Sequence, residues 1–287
     1  MSAAETSKDS AAFCADLVRG HDFARYASTL FLPAMQRRAL LSVYAFNVEI
    51  SRVREQVSQP LPGEIRFQWW TDMLEGAAHG NAEGNPVAAE LLQTIRECHL
   101  PVAPLLRLIE EHQFDLYNDP MPSMAALEGY ATDTASALLA LAARIAAPPS
   151  EATNHLARHA GLAQGIVQAI TALPHDAARR QLFLPLQVLQ QHGSGMEQVF
   201  SGKLTPALRA AIDQLIGEAR KHLDTAFQLL MDVSPQVRPV FLPLALVRRE
   251  LARQSRADAD PFALHVTPRF RILWTLWRAS RSKEFGG

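Results

Sequence analysis

Apolar positions recur three and four residues apart along most of the chain, and strict apolar–polar alternation over strand lengths is rare. That period predicts helices over 87–95, 105–114, 127–145, 208–231 and 240–251. A further stripe joins Leu40, Val43, Tyr44, Val48, Ser51 and Glu55, turning from apolar to polar along one helix face. Punctuation falls between the periodic segments: Pro33, Pro60 and Pro62, Gly80, Gly84 and Pro86, Pro101 and Pro104, Pro120 and Pro122, Pro148 and Pro149, Pro185, Pro235 and Pro268. Proline ends or opens a helix because its ring fixes φ and removes a backbone donor. The pattern predicts roughly a dozen helices with short connections. No repeat or long linker divides them, so residues 13–287 read as a single all-α domain behind a flexible lead of residues 1–12.

Composition narrows the function classes. Of 287 residues, 28 are Lys or Arg and 29 are Asp or Glu, a net charge of -1. A nucleic-acid binder is not expected, because neutralising phosphates usually needs a basic excess. Cys14 and Cys98 stand far apart without CxxC spacing, which points to a reducing compartment rather than a disulfide framework or a zinc site. The first ten residues lack the apolar core of a secretory signal and the arginines of a transit peptide. No apolar run reaches the ~20 residues of a spanning helix. A bacterial-type cytoplasmic location is expected, with peripheral contact at the inner membrane as the variant.

Two segments carry motif-like order. The first holds Leu30-Phe31-Leu32-Pro33, Arg37-Arg38-Ala39-Leu40 and Tyr44-Ala45-Phe46-Asn47-Val48-Glu49. The second holds Gly161-Leu162-Ala163-Gln164-Gly165-Ile166-Val167-Gln168 and Arg179-Arg180-Gln181-Leu182-Phe183-Leu184-Pro185. Together they resemble the two signature regions of the squalene/phytoene synthase family. The Ala45–Glu49 and Ala163–Val167 stretches, with Gln68-Trp69-Trp70 and His192-Gly193, are similar to a divergent branch. That branch includes a mitochondrial assembly factor for respiratory complex I and its bacterial relatives. The resemblance implies an isoprenoid-synthase-type fold, with helices around a central cavity.

In that family, aspartate-rich motifs of the form D-D-x-x-D and D-x-x-E-D hold magnesium against a prenyl diphosphate. Hard magnesium takes oxygen ligands, so the carboxylates must project from facing helices. Counting along this chain puts the first motif on Ser51, Arg52 and Glu55, and the second on Ala172, His175 and Asp176. Two carboxylates remain of six, Arg52 and Arg54 add positive charge, and Pro174 interrupts the second helix. No catalytic residue, cofactor or metal is therefore expected, with Glu55 and Asp176 the weak metal candidates. Salt bridges from these two acids to Arg52, Arg54 or Arg179 are the preferred reading.

The resemblance implies a pseudoenzyme that assists complex I assembly, with complex I subunits or assembly intermediates as partners and an isoprenoid-like or lipid ligand in the cavity. The alternatives are a prenyltransferase using Mg2+, with Glu49, Asp72 or Asp115 completing a rearranged site, and a lipid or quinone carrier. Ligand-binding candidates are Tyr44, Asn47, Val48, Ser51, Glu55, Trp69, Gln164, Gln168 and Asp176. His155 and His159 have the i, i+4 spacing of a metal pair but no evident third ligand. Near the C-terminus, Phe270, Leu273, Trp274 and Trp277 form one helical stripe, expected to pack on the body of the domain. The alternative is membrane contact through residues 269–281, where arginines accompany the tryptophans.

Overall fold

The computed structural model describes residues 3–77 and 84–285, and among them it contains helices and turns but no strand. The α-helices are α1 (Ala3–His21), α2 (Phe23–Thr29), α3 (Ala34–Ser51), α4 (Val53–Gln56), α5 (Pro60–Glu75), α6 (Pro86–Glu97), α7 (Ala103–His112) and α8 (Met124–Ala131). They continue as α9 (Ala137–Ala146), α10 (Glu151–Thr171), α11 (Leu173–Ala178), α12 (Leu186–Gln191), α13 (Met196–Phe200), α14 (Pro206–Leu229), α15 (Leu244–Gln254) and α16 (Arg269–Ser280). The expected boundary near Phe13 falls inside α1, which runs unbroken from Ala3.

Helix starts carry the chemistry that their ends need. Asn85 accepts from the backbone N–H groups of Val87 and Ala88 at 3.0 and 3.1 Å, with Pro86 opening α6. Ser123, Ser150 and Thr205 cap α8, α10 and α14 in the same way. Each cap satisfies a donor that the first turn leaves unpaired. At the other end of α5, Gly76 takes the left-handed conformation (φ 75°) that closes a helix without a Cβ clash.

Helices α3 and α10 are the two central elements. Ten residues of α3 and eleven of α10 are buried, including the fully enclosed Tyr44, Phe46 and Ile50. Phe46 meets Trp70 edge to face at 5.2 Å, tying α3 to α5. Helices α1, α6 and α9 pack on α3, while α9, α14 and α15 pack on α10. An Arg38–Glu90 ion pair links α3 to α6 where the Glu90 side chain is almost wholly buried.

The expected helix over 127–145 is one continuous segment with a π turn at Thr132–Ser136 between α8 and α9. Gly161 of α10 passes so close to that turn that a Cβ would lie 2.3 Å from the Ser136 backbone. Two breaks set up the site. Arg52 interrupts the helix between α3 and α4, and α10 ends at Thr171, before Pro174 in the first turn of α11. Such four- to six-residue helices, too short to show a period, account for the sixteen α-helices among the described residues where a dozen are expected.

The C-terminal helix corrects an expectation. Its buried residues are Leu276 and Ala279, whereas Phe270, Leu273, Trp274 and Trp277 all face outward. Small and aliphatic residues make the inward contact, so the bulkier stripe is the outer one. Among the described residues no helix is long and apolar enough to cross a membrane.

Candidate functional site: a central cavity with a paired-charge rim

The helices enclose a cavity of about 630 Å³. Its wall is built from α2, α3, α4, α8, α10, α11 and α15, the last residues of α1 and α7, the loops beside them, and the π turn at Thr134 and Ala135. The volume lies in the range of ordinary small-molecule sites. All six degenerate motif positions, Ser51, Arg52, Glu55, Ala172, His175 and Asp176, line it. Asn47, Val48, Gln164 and Gln168 join them.

Tyr44 and Trp69 do not. Tyr44 is buried beneath Arg25, whose guanidinium carbon sits 5.6 Å above its ring, so Arg25 and not the tyrosine reaches the cavity. Trp69 instead borders a smaller hollow of about 290 Å³ with Glu49, Val53 and Arg66, set apart from the motif positions.

Charges on the rim are spent on one another. Glu55 lies 3.5 Å from Arg52, 3.7 Å from Arg179 and 4.0 Å from His175. Asp176 sits 3.6 Å from His175 rather than beside an arginine. Arg25 pairs with Asp22 at 2.9 Å, and Glu250 accepts from Arg253 at 3.1 Å. Arg54 donates to the Val57 carbonyl, and its Nε is buried without a partner.

A second group in the cavity wall is Asp115, expected only as an acid of the prenyltransferase alternative, with Tyr130 and His112, which are not among the sequence candidates. The Tyr130 hydroxyl donates to both Asp115 carboxylate oxygens, at 3.0 and 3.2 Å. Burial pushes the Asp115 carboxyl up to about 7, against the opposing effect of that hydrogen bond. Burial also lowers His112 to about 4, while its Nδ1–H donates to the Leu108 carbonyl at 2.9 Å. Asp176 is displaced upward too, chiefly by burial, with His175 opposing. His112, Asp115 and Tyr130 lie 3 to 18 positions apart in the chain and 46 to 64 positions before Asp176, and no local period links them to the motif segments.

Magnesium does not fit this donor set. The ion needs several charged oxygen ligands on one point, yet Glu55 is shared by Arg52 and Arg179, Asp176 lies beside His175, and Asp115 accepts from Tyr130. Glu49 borders the other hollow, and Asp72 accepts from Gln68 at 2.7 Å outside the cavity. Among the described residues no three His, Cys, Asp or Glu side chains are placed to hold a metal. The His155–His159 pair gains a neighbour in His222, at 2.9 Å from His159. His159 turns its two nitrogens to different partners, so the three rings form a row rather than a converging set.

What the cavity offers instead is apolar wall and unspent amides. Val48, Leu127, Val167, Phe183, Leu246 and Val247 contribute the apolar surface. The side-chain amides of Asn47, Gln164 and Gln168 border the same space, and among the described residues they make no hydrogen bond within the protein. Each offers one acceptor and two donors.

An all-α bundle around a cavity, with both signature helices facing it, defines the class, and the sequence profile of the squalene/phytoene synthase family matches residues 18–278. The chain belongs to that family. Within it, the chain is 33% identical to NADH dehydrogenase (ubiquinone) complex I, assembly factor 6, of Rattus norvegicus, over 88% of this chain and 76% of that protein. It is 28% identical to phytoene synthase 2, chloroplastic, of Solanum lycopersicum, over 85% of this chain and 82% of that protein. Among solved structures it is similar to the squalene synthase HpnC of Alicyclobacillus acidocaldarius, with a TM-score of 0.72 at 22% identity, covering 86% of this chain and 93% of that one.

Proposed function

We propose that this protein is a non-catalytic member of the squalene/phytoene synthase family that assists assembly of respiratory complex I and holds an isoprenoid-like molecule in its cavity. The observation that carries the reading is the cavity wall. Where a prenyl diphosphate and its magnesium would need converging carboxylates, Arg52, Ala172 and His175 stand, and Glu55 is committed to arginines. Similarity to complex I assembly factor 6 over most of the chain supports the assembly role, with complex I subunits or intermediates as clients. A bacterial-type cytoplasmic location accords with this role.

The ligand reading rests on what the wall leaves unsatisfied. Three free amides on α3 and α10 suit a neutral head group with carbonyl or hydroxyl oxygens, and the apolar side chains suit a hydrocarbon tail. Magnesium plays no part in holding such a molecule.

Deletion of the gene, with complex I resolved on native gels and isoprenoids extracted in parallel, tests the proposal. Loss of assembled complex I with unchanged squalene and phytoene is the expected result. Intact complex I with altered isoprenoid products would assign the protein to prenyl transfer. Intact complex I with altered quinone or lipid distribution would assign it to carriage.

A further inference from the structure

The C-terminal helix and the segment before it carry large apolar side chains that nothing among the described residues covers. Leu264 and Val266 are 85% and 87% exposed, Phe270 is 68% exposed and Trp274 60%. Leu273 and Trp277 extend the same face, the two tryptophan rings stacking at 4.9 Å. Leu276, Ala279 and the partly buried Ile272 occupy the opposite side, against the domain. Isolated exposed leucines need no explanation, but a connected aromatic face on one helix marks a surface made for contact.

The charges around the face identify the contact. From Pro261 to Lys283 there is no aspartate or glutamate, while Arg269, Arg271, Arg278, Arg281 and Lys283 fall within the same stretch. Among the described residues none of these four arginines forms an ion pair. Arg281 lies over Trp277 at 4.3 Å, Arg271 over Phe270 at 5.9 Å and Arg269 over Phe23 at 4.7 Å. Nearby carboxylates are taken by other partners, Glu284 by Arg248 and Glu250 by Arg253. Counting 100° per residue puts Phe270, Trp274 and Trp277 within one narrow sector, with Arg271 and Arg278 along its edge. Tryptophan rings favour the boundary between water and acyl chain, and arginines beside them reach lipid phosphates.

We propose that helix α16 with residues 264–268 is a docking face for an anionic lipid surface, lying in the plane of the interface. At twelve residues the helix is about 18 Å long, too short to span a bilayer. It packs on α2 and α15, and both of those elements supply cavity-lining residues, Arg25 from one and Leu246 and Val247 from the other. Docking therefore brings the cavity wall next to the lipid. The inference stands on the surface alone, whatever the cavity holds and whichever partner the protein serves.

The test uses the full-length protein with vesicles of phosphatidylcholine alone and of phosphatidylcholine with an equal part of phosphatidylglycerol. Co-sedimentation and tryptophan emission are followed together. The protein is expected to pellet with the anionic vesicles only, with blue-shifted emission, and to be released by salt. Arg271→Gln with Arg278→Gln should weaken partitioning about thirtyfold, from the attraction of each basic residue to the anionic surface. Phe270→Ser with Trp274→Ser should weaken it at least tenfold. Both pairs are solvent-facing, and thermal unfolding measured alongside should be unchanged. Failure of the unaltered protein to pellet with anionic vesicles would overturn the proposal, as would equal pelleting by both variants. A concentration-dependent dimer abolished by Phe270→Ser with Trp274→Ser would overturn it too, by giving the face to a second copy.

Discussion

Asp115 and His112 place opposite pH dependences in one cavity wall. An aspartate raised in the folded state to about 7 contributes stability that is full below its unfolded value near 4 and is lost as pH rises through 7. A histidine lowered to about 4 contributes stability that is full above 6.5 and is lost as pH falls toward 4. Asp176, raised to about 6 chiefly by burial, slopes the same way as Asp115, so between about pH 4 and 6 two acids oppose one histidine and the stability of the unaltered protein should fall as pH rises. Asp115→Asn leaves Asp176 and His112, whose slopes oppose. Chemical denaturation of the variant should then show a flatter profile over that range, and a gain on the order of 1–3 kcal/mol over the parent near pH 8. On the rim, Glu55→Gln and Asp176→Asn should leave complex I assembly nearly intact in a complemented deletion strain. Their partners are half-exposed, where a salt bridge contributes about 0–1 kcal/mol. Complete loss of assembly from folded protein would restore these carboxylates as functional ligands. Most of the ligand candidates line the cavity because positions four apart on α3 and α10 share a face. Tyr44 was misplaced because a period gives the face but not the turn at which Arg25 intervenes. Trp69 was misplaced because adjacent helix positions point about 100° apart, and its neighbour Trp70 takes the core direction. Asp115, Tyr130 and His112 converge through tertiary packing alone.

At the scale of elements, glycines separate close approach from mere tolerance. A Cβ at Gly161 would meet the Ser136 backbone at 2.3 Å, and one at Gly165 would meet Ala131 Cβ at 2.5 Å. Gly161→Ala should therefore push α10 off the π turn and cost on the order of 1–3 kcal/mol or more in urea unfolding. Gly217, on α14, has nothing within 4 Å of its Cβ position. Gly217→Ala should stabilise by about 0.4–1 kcal/mol, through helix propensity and a less disordered unfolded chain. Proline and cap positions made the long helices readable, whereas the break at Arg52 has no proline or glycine to announce it. The outward face of α16 was read the wrong way round for a physical reason. A hydrophobic stripe is normally the buried one, and here four bulky residues outweigh the Ile272, Leu276 and Ala279 side that makes the contact.

For the whole molecule, the fold and the family were both legible, since helical period and two signature segments suffice for an all-α bundle around a cavity. The chemistry of that cavity was legible mainly as a departure: which carboxylates are replaced, and where arginine enters. Its positive content, an apolar chamber with three free amides and a protonating aspartate, required the structure. On the proposed reading a synthase fold serves a binding role, and the cavity does no diphosphate chemistry. The most direct measurement incubates the purified protein with farnesyl and geranylgeranyl diphosphates and magnesium, beside an authentic synthase, following diphosphate release and extracted hydrocarbon together. Neither is expected above background from folded protein. Magnesium-dependent release of diphosphate with squalene or phytoene formed in step would contradict that reading.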